Sequence, residues 1–203
     1  MKPSVWLLLG FGAMAHAGDF DKLLERAESG DPGAQLEAAE KYAAGDGVAK
    51  DSAKAVEWLE AAANQGIAEA QTKLGAMYLG GRGVPRDAKT AAKWYKMAAE
   101  KGDPSARIQL ARMFLAGAGG MTDPAEAWMW AKLAADKGDH VARRVLASLQ
   151  PKMNAVTLAD GEARVRAFEA REMTETTEPG VPAVAPAVPE VEPVPEPTAE
   201  PQD

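Results

Sequence analysis

Cysteine is absent from this 203-residue chain, and histidine occurs only at His16 and His140. Without cysteine no disulfide can form and no thiolate can serve as ligand or nucleophile, and two histidines are too few for a metal cluster. A nucleophile with a histidine base would depend on His140, which follows Gly138-Asp139 in a helix-start setting and reads as a surface residue. The Ser-x-x-Lys signature of acyl-enzyme hydrolases does not occur. Gly80-Gly81-Arg82-Gly83 lacks the Gly-Lys-Ser/Thr ending of a phosphate loop and reads as a turn. No catalytic, cofactor-binding or metal-ligating residue is therefore assigned, no cofactor is expected, and the chain is read as not an enzyme.

Long apolar runs are also scarce. The only one, from Val5 through Met14, follows Lys2 and leads to Ala15-His16-Ala17 and then Gly18-Asp19. A membrane-spanning helix needs roughly 20 apolar residues. This shorter run, with its basic start and small residues at the end, has the layout of a secretory signal peptide over residues 1–17, with cleavage expected after Ala17. No cysteine follows to carry a lipid. The expected location is periplasmic or secreted, with no integral membrane segment after cleavage. A basic stripe is missing too: residues 18–173 carry 22 basic and 23 acidic side chains, so nothing favours nucleic acid. Residues 174–203 hold seven acidic side chains, no Lys or Arg, and eight prolines between Pro179 and Pro201. That composition predicts a disordered, extended tail serving as a spacer or as a proline-motif ligand.

What the sequence does have is a period. Gly30, Gly66, Gly102 and Gly138 recur every 36 residues without a gap. The same step relates Ala34, Ala70, Ala106 and Ala142; Tyr42, Tyr78 and Phe114; Gly45, Gly81 and Gly117; Asp51, Asp87 and Asp123; and Trp58, Trp94 and Trp130. Each unit reads as two short helices. Asp31-Pro32 and Asp103-Pro104 pair a capping carboxylate with a proline at the first helical position, where its missing N–H costs nothing. Glycines such as Gly81 stop the first helix, and Asp51, Asp87 and Asp123 start the second. One hairpin cannot cover its own apolar face, so the hairpins must stack, with Ala and Gly admitting close approach and Trp and Tyr filling the core. The predicted fold is all-α, an α/α solenoid forming a right-handed superhelix of helix-turn-helix repeats. Its parts are a capping helix over 18–30, repeats at 31–66, 67–102 and 103–138, and a partial fourth repeat with a capping helix over 139–173. In the last of these, residues 157–173 predict an amphipathic helix with Leu158, Val165 and Phe168 on one side.

The stretch 70–102, with Leu74-Gly75, Tyr78, Gly81-Arg82-Gly83-Val84, Asp87, Ala91-Ala92, Trp94 and Ala98-Ala99, resembles the Sel-one-like repeat family, a relative of the tetratricopeptide repeat. Repeat one departs at Ala38-Ala39, where the pattern has Leu-Gly, and repeat three at Gly120, in place of the loop valine. The resemblance implies a protein or peptide partner held in a concave groove lined by first helices. By the 36-residue step the expected groove residues are Leu36, Glu40, Thr72, Leu79, Ile108, Arg112, Leu115 and Arg144, with Ala43 and Ala76 beside them. Apolar side chains next to arginines fit an extended or helical peptide carrying an acidic group. The function expected is a non-enzymatic adaptor or regulator of the cell envelope, monomeric by preference. One alternative is a cell-wall or β-lactam hydrolase, a link that the resemblance raises and the missing signature opposes. The other is a structural tether acting through the Pro-rich tail.

Overall fold

A computed structural model of the chain describes residues 10–177, and side chains over 18–174. The first nine residues of the expected signal peptide and residues 178–203 of the expected tail lie outside the described residues. Nine α-helices occupy the described stretch: α1 Gly10–Glu28, α2 Pro32–Ala44, α3 Ser52–Asn64, α4 Ala68–Gly80, α5 Ala88–Glu100, α6 Pro104–Ala116, α7 Pro124–Asp136, α8 His140–Leu149 and α9 Ala155–Thr177. Helices α2/α3, α4/α5 and α6/α7 pair as hairpins, and α3/α4, α5/α6 and α7/α8 join one hairpin to the next. The arrangement is an α/α solenoid.

The boundaries follow local chemistry. The Asp31, Asp51, Asp87, Asp103, Asp123 and Asp139 carboxylates accept hydrogen bonds from N–H groups in the first turn of the helix that each precedes. Each such cap is worth about 1 kcal/mol against alanine. Ile67 stands in the same place before α4 and supplies no side-chain bond. Gly45, Gly81 and Gly117 end the first helices in left-handed geometry, and each returns its N–H to the carbonyl four residues back. Between α6 and α7 the chain adds a 3-10 turn over Ala118–Gly120, where repeat three departs from the other two.

One core runs the length of the stack. Alanines at 34, 70, 106 and 142 are fully buried, as are those at 55, 91 and 127, so backbones approach closely along the hairpins. Trp94 and Trp130 are buried, whereas Trp58 is only half-buried. Size is traded between facing positions. Gly75 of α4 faces Tyr95 of α5, and a Cβ on Gly75 would lie 3.0 Å from two carbons of that ring. The equivalent residues are Ala39 with Leu59 in the first repeat and Ala111 with Ala131 in the third, so the smallest residue stands opposite the largest.

The two ends differ from the repeats. At the start, Phe20 and Leu23 of α1 are buried and Leu24 half-buried on the first repeat, with Phe20 edge-on to Tyr42 at 5.4 Å. The expected cleavage point between Ala17 and Gly18 falls inside α1. At the other end α9 packs mainly on α7 rather than on α8, the helix with which it would pair in a regular fourth repeat. It runs alongside α7, with Phe168 edge-on to Trp130 at 5.5 Å. Val165 and Phe168 are buried and Leu158 half-buried. Gly161 permits the approach, since a Cβ there would sit 2.7 Å from Cδ1 of Trp128. Arg164 fixes the register by donating to Asp123 and Glu126 at the start of α7, both at 2.8 Å, and to Asp160 on its own helix.

Candidate binding surface

The first helices α2, α4, α6 and α8 form one flank of the stack, linked across their gaps by polar contacts. Lys73 of α4 pairs with Glu40 of α2 at 2.6 Å. Thr72 of α4 donates to Asp103, the cap of α6, at 3.1 Å. Between α2 and α4 opens a cleft of about 410 Å³, with Leu59 and Met77 among its lining and Ala39, Ala43, Ala44 and Ala76 leaving it room. Its polar residues are Glu40, Lys73 and Arg82.

The expected groove residues divide into three groups. Glu40, Arg112 and Arg144 are exposed on this flank. Leu36, Leu79 and Leu115 are half-buried, each with one side on the common core. Thr72 is half-buried and committed to the α6 cap, so it joins neighbouring repeats instead of awaiting a ligand. Ile108 is a correction. It is only 6% exposed, because packing around α6 closes over it, and it offers no side chain to a partner. The cleft brings Glu40 together with Ala43 and Ala76, and it adds Lys73 and Arg82, which counting along the repeat had passed over. The i,i+4 pair of Glu69 with Lys73 was a sequence signal for an exposed charge at that place.

Charge along the flank is graded. At the α2/α4 end Glu40 and Lys73 neutralise each other. Glu69 also contacts Lys73, whose pKa is raised: burial alone would lower it, but the two glutamates outweigh that. At the α6/α8 end, Arg112 and Arg144 have no ion-pair partner among the described residues. This end is the cationic one.

A second feature, unread in the sequence, holds the repeats together. Gln35, Gln71 and Arg107, again 36 residues apart, are buried polar groups. Each reaches back to the carbonyl eight residues earlier: Gln35 Nε2 to Ala27 at 3.1 Å, Gln71 Nε2 to Ala63 at 3.0 Å and Arg107 Nε to Ala99 at 2.9 Å. They add a second hydrogen bond to carbonyls at the end of the preceding helix, which already accept from the N–H of Gly30, Gly66 and Gly102 respectively, and so fill the remaining lone pair. Arg107 does more, donating from Nη1 to the Leu133 carbonyl and from Nη2 to Glu172 of α9. Burial lowers the Arg107 pKa, and the Glu172 carboxylate opposes that shift. The missed signal was a polar residue recurring in register beside an invariably buried alanine.

The repeat assignment is decided by the family comparison: the Sel1 repeat family model matches residues 32–67, 68–103 and 104–139, more than half of the chain. The chain belongs to the Sel1 repeat family. Proteins of this family generally mediate protein–protein interaction and are typically non-enzymatic scaffolds. Among solved structures, the Sel1 repeat protein from Oxalobacter formigenes is 38% identical, with a TM-score of 0.59, covering 64% of this chain and 98% of that one. A protective antigen present in uropathogenic Escherichia coli strains, displaying an SLR fold, is 25% identical, with a TM-score of 0.56. That likeness covers 80% of this chain and 44% of the antigen, so the chain spans less than half of the antigen's length. No curated protein matches the sequence. Among the described residues, no helix is long and apolar enough to cross a membrane.

Proposed function

We propose that this Sel1 repeat protein is a non-enzymatic adaptor or regulator of the cell envelope, periplasmic or secreted, that holds a protein or peptide against its first-helix flank. The observation that carries the reading is the graded flank itself: a cleft with an alanine-rich wall at one end, half-buried leucines along it, and at the other Arg112 and Arg144, exposed and without an ion-pair partner among the described residues. Alanine walls admit a backbone or a small side chain. The leucines Leu36, Leu79 and Leu115 offer apolar anchoring without having to be ordered first, and the two arginines select a carboxylate. The envelope location rests on the apolar run and small residues before Gly18.

The test is a crosslinking pull-down from the native envelope with the chain from Gly18 to Asp203, compared with an Arg112→Glu, Leu115→Ala variant. Loss of a captured protein in the variant, with unchanged helical circular dichroism, is the expected result. Equal capture by both proteins moves binding off this flank and refutes the groove.

A further inference from the structure

Helix α9 ends near the α6/α8 end of the stack, on the α7 side. Its final turns lie beside α6 and the α7–α8 turn: Glu172 meets Arg107, and Met173 shares a cleft of about 680 Å³ with Arg107, Leu133, Asp136 and Lys137. Thr177 is one turn further on, about 6 Å. Residues 178–203 continue from there with six acidic side chains and no lysine or arginine, five of the six between Glu190 and Asp203. At this end of the stack α8 carries exposed Arg143 and Arg144 in its first turns, with exposed Lys137 just before it, and Arg112 is five residues along α6 from Arg107. Five residues of helix rise about 7.5 Å and turn about 140° around the axis, so Arg112 lies a short way along α6 but on another side of it from Arg107. Glu190 lies thirteen residues beyond Thr177, and a polyproline-type segment of that length can span about 40 Å, enough to reach either arginine.

We infer that residues 178–203 act as an intramolecular ligand of this flank, their glutamates pairing with Arg112 and Arg144 and competing there with an external partner. The inference shares its surface with the function proposed above. An acidic segment with no cation of its own, attached within reach of two arginines that have no ion-pair partner among the described residues, meets them at a high effective concentration, and no ordering of a long free ligand from solution is required. Exposed ion pairs of this kind are individually weak and screened by salt, so the docked state is reversible and opens to a tighter-binding partner. The segment thereby sets a threshold for occupancy of the groove.

The experiment uses the chain from Gly18 to Asp203. Because it has no cysteine, Ser105→Cys on α6 and Thr198→Cys in the acidic segment provide two unique sites for nitroxide labels, read by pulsed dipolar spectroscopy. The expected distribution contains a narrow short-distance component that survives dilution with unlabelled protein. Replacing Glu190, Glu192, Glu196 and Glu200 by Gln leaves the solenoid untouched and should lower the docked-to-free ratio about tenfold, since each exposed pair contributes only a fraction of that factor. Arg112→Glu with Arg144→Glu should do the same, as should 0.5 M salt. A single broad distribution in the unsubstituted chain overturns the inference, as does a short component indifferent to both charge variants. A short component lost on dilution with unlabelled protein overturns it in favour of docking on a second copy. If the segment does not dock but the Arg112→Glu, Leu115→Ala variant loses its captured protein, only the inference fails. If docking is lost with the charges while capture is unchanged, the adaptor's groove is elsewhere.

Discussion

Adding one methyl group at Gly75 tests how closely the hairpins are fitted. In Gly75→Ala the new Cβ would stand 3.0 Å from Cδ1 and Cε1 of Tyr95 and 3.1 Å from its Cγ. Tyr95 is only 2% exposed, so its ring has no open space into which to swing. Overpacking of this kind costs about 1–3 kcal/mol, while replacing glycine by alanine inside a helix returns close to 1 kcal/mol. The net expectation is a destabilisation of roughly 0–2 kcal/mol, or a fall of up to about 8 °C in Tm for a domain of this size. Tyr95→Leu alone is also destabilising, because it removes buried ring volume. The pair together recreates the Ala39/Leu59 combination already present in the first repeat. The double variant should therefore be more stable than the two single effects predict, by about 1 kcal/mol or more in urea denaturation. Additivity within about 0.5 kcal/mol would refute the size-trading argument, and a stabilising Gly75→Ala would show that the ring yields freely.

Three further perturbations probe the joints between elements. Gly161→Ala places a Cβ 2.7 Å from Trp128 Cδ1 and should lift α9 from α7, read as a red shift of tryptophan emission; unchanged emission would contradict the seating of the helix. Arg107→Leu should lower stability by about 1–3 kcal/mol by removing the guanidinium's bonds to the Ala99 and Leu133 carbonyls and to Glu172, the Ala99 carbonyl keeping its bond from the Gly102 N–H. Arg107→Gln should cost less, because glutamine already serves that register at Gln35 and Gln71; equal losses in thermal melts would dismiss the carbonyl bond as the cause. Acid should loosen the α9 cap. Burial alone would raise the Asp123 pKa, but the Glu126 N–H and the Arg164 guanidinium outweigh it and hold the carboxyl below its ordinary range. A depressed carboxyl contributes stability that is fully present above its unfolded value, near 4, and lost as pH falls through the folded value. Amide protection in α9, relative to the intrinsic exchange rate at each pH, should fall below about pH 4, and Asp123→Asn should weaken that dependence while Glu126 and Asp160 still pair with Arg164; protection in α9 that stays level down to about pH 2 would be the contrary result.

The sequence by itself determined what is local. Capping aspartates, first-turn prolines and stop glycines satisfy or release backbone groups within a few residues of themselves, so the helix limits and the 36-residue unit could be read directly, and a repeated apolar face required stacking. The tertiary structure decided what depends on neighbours. Counting along the period placed Ile108 and Thr72 on an open groove, yet packing around α6 buries the one and the Asp103 cap engages the other. A period makes positions equivalent without stating what stands opposite each one, which is how Gly75 came to face Tyr95 and how Gln35, Gln71 and Arg107 found carbonyls eight residues back. At the end of the stack the period stops, and amphipathicity alone could not choose between α8 and α7 as the seat of α9. That choice was made by three contacts from distant parts of the chain: Arg164 on Asp123 and Glu126, Gly161 against Trp128, and Phe168 on Trp130.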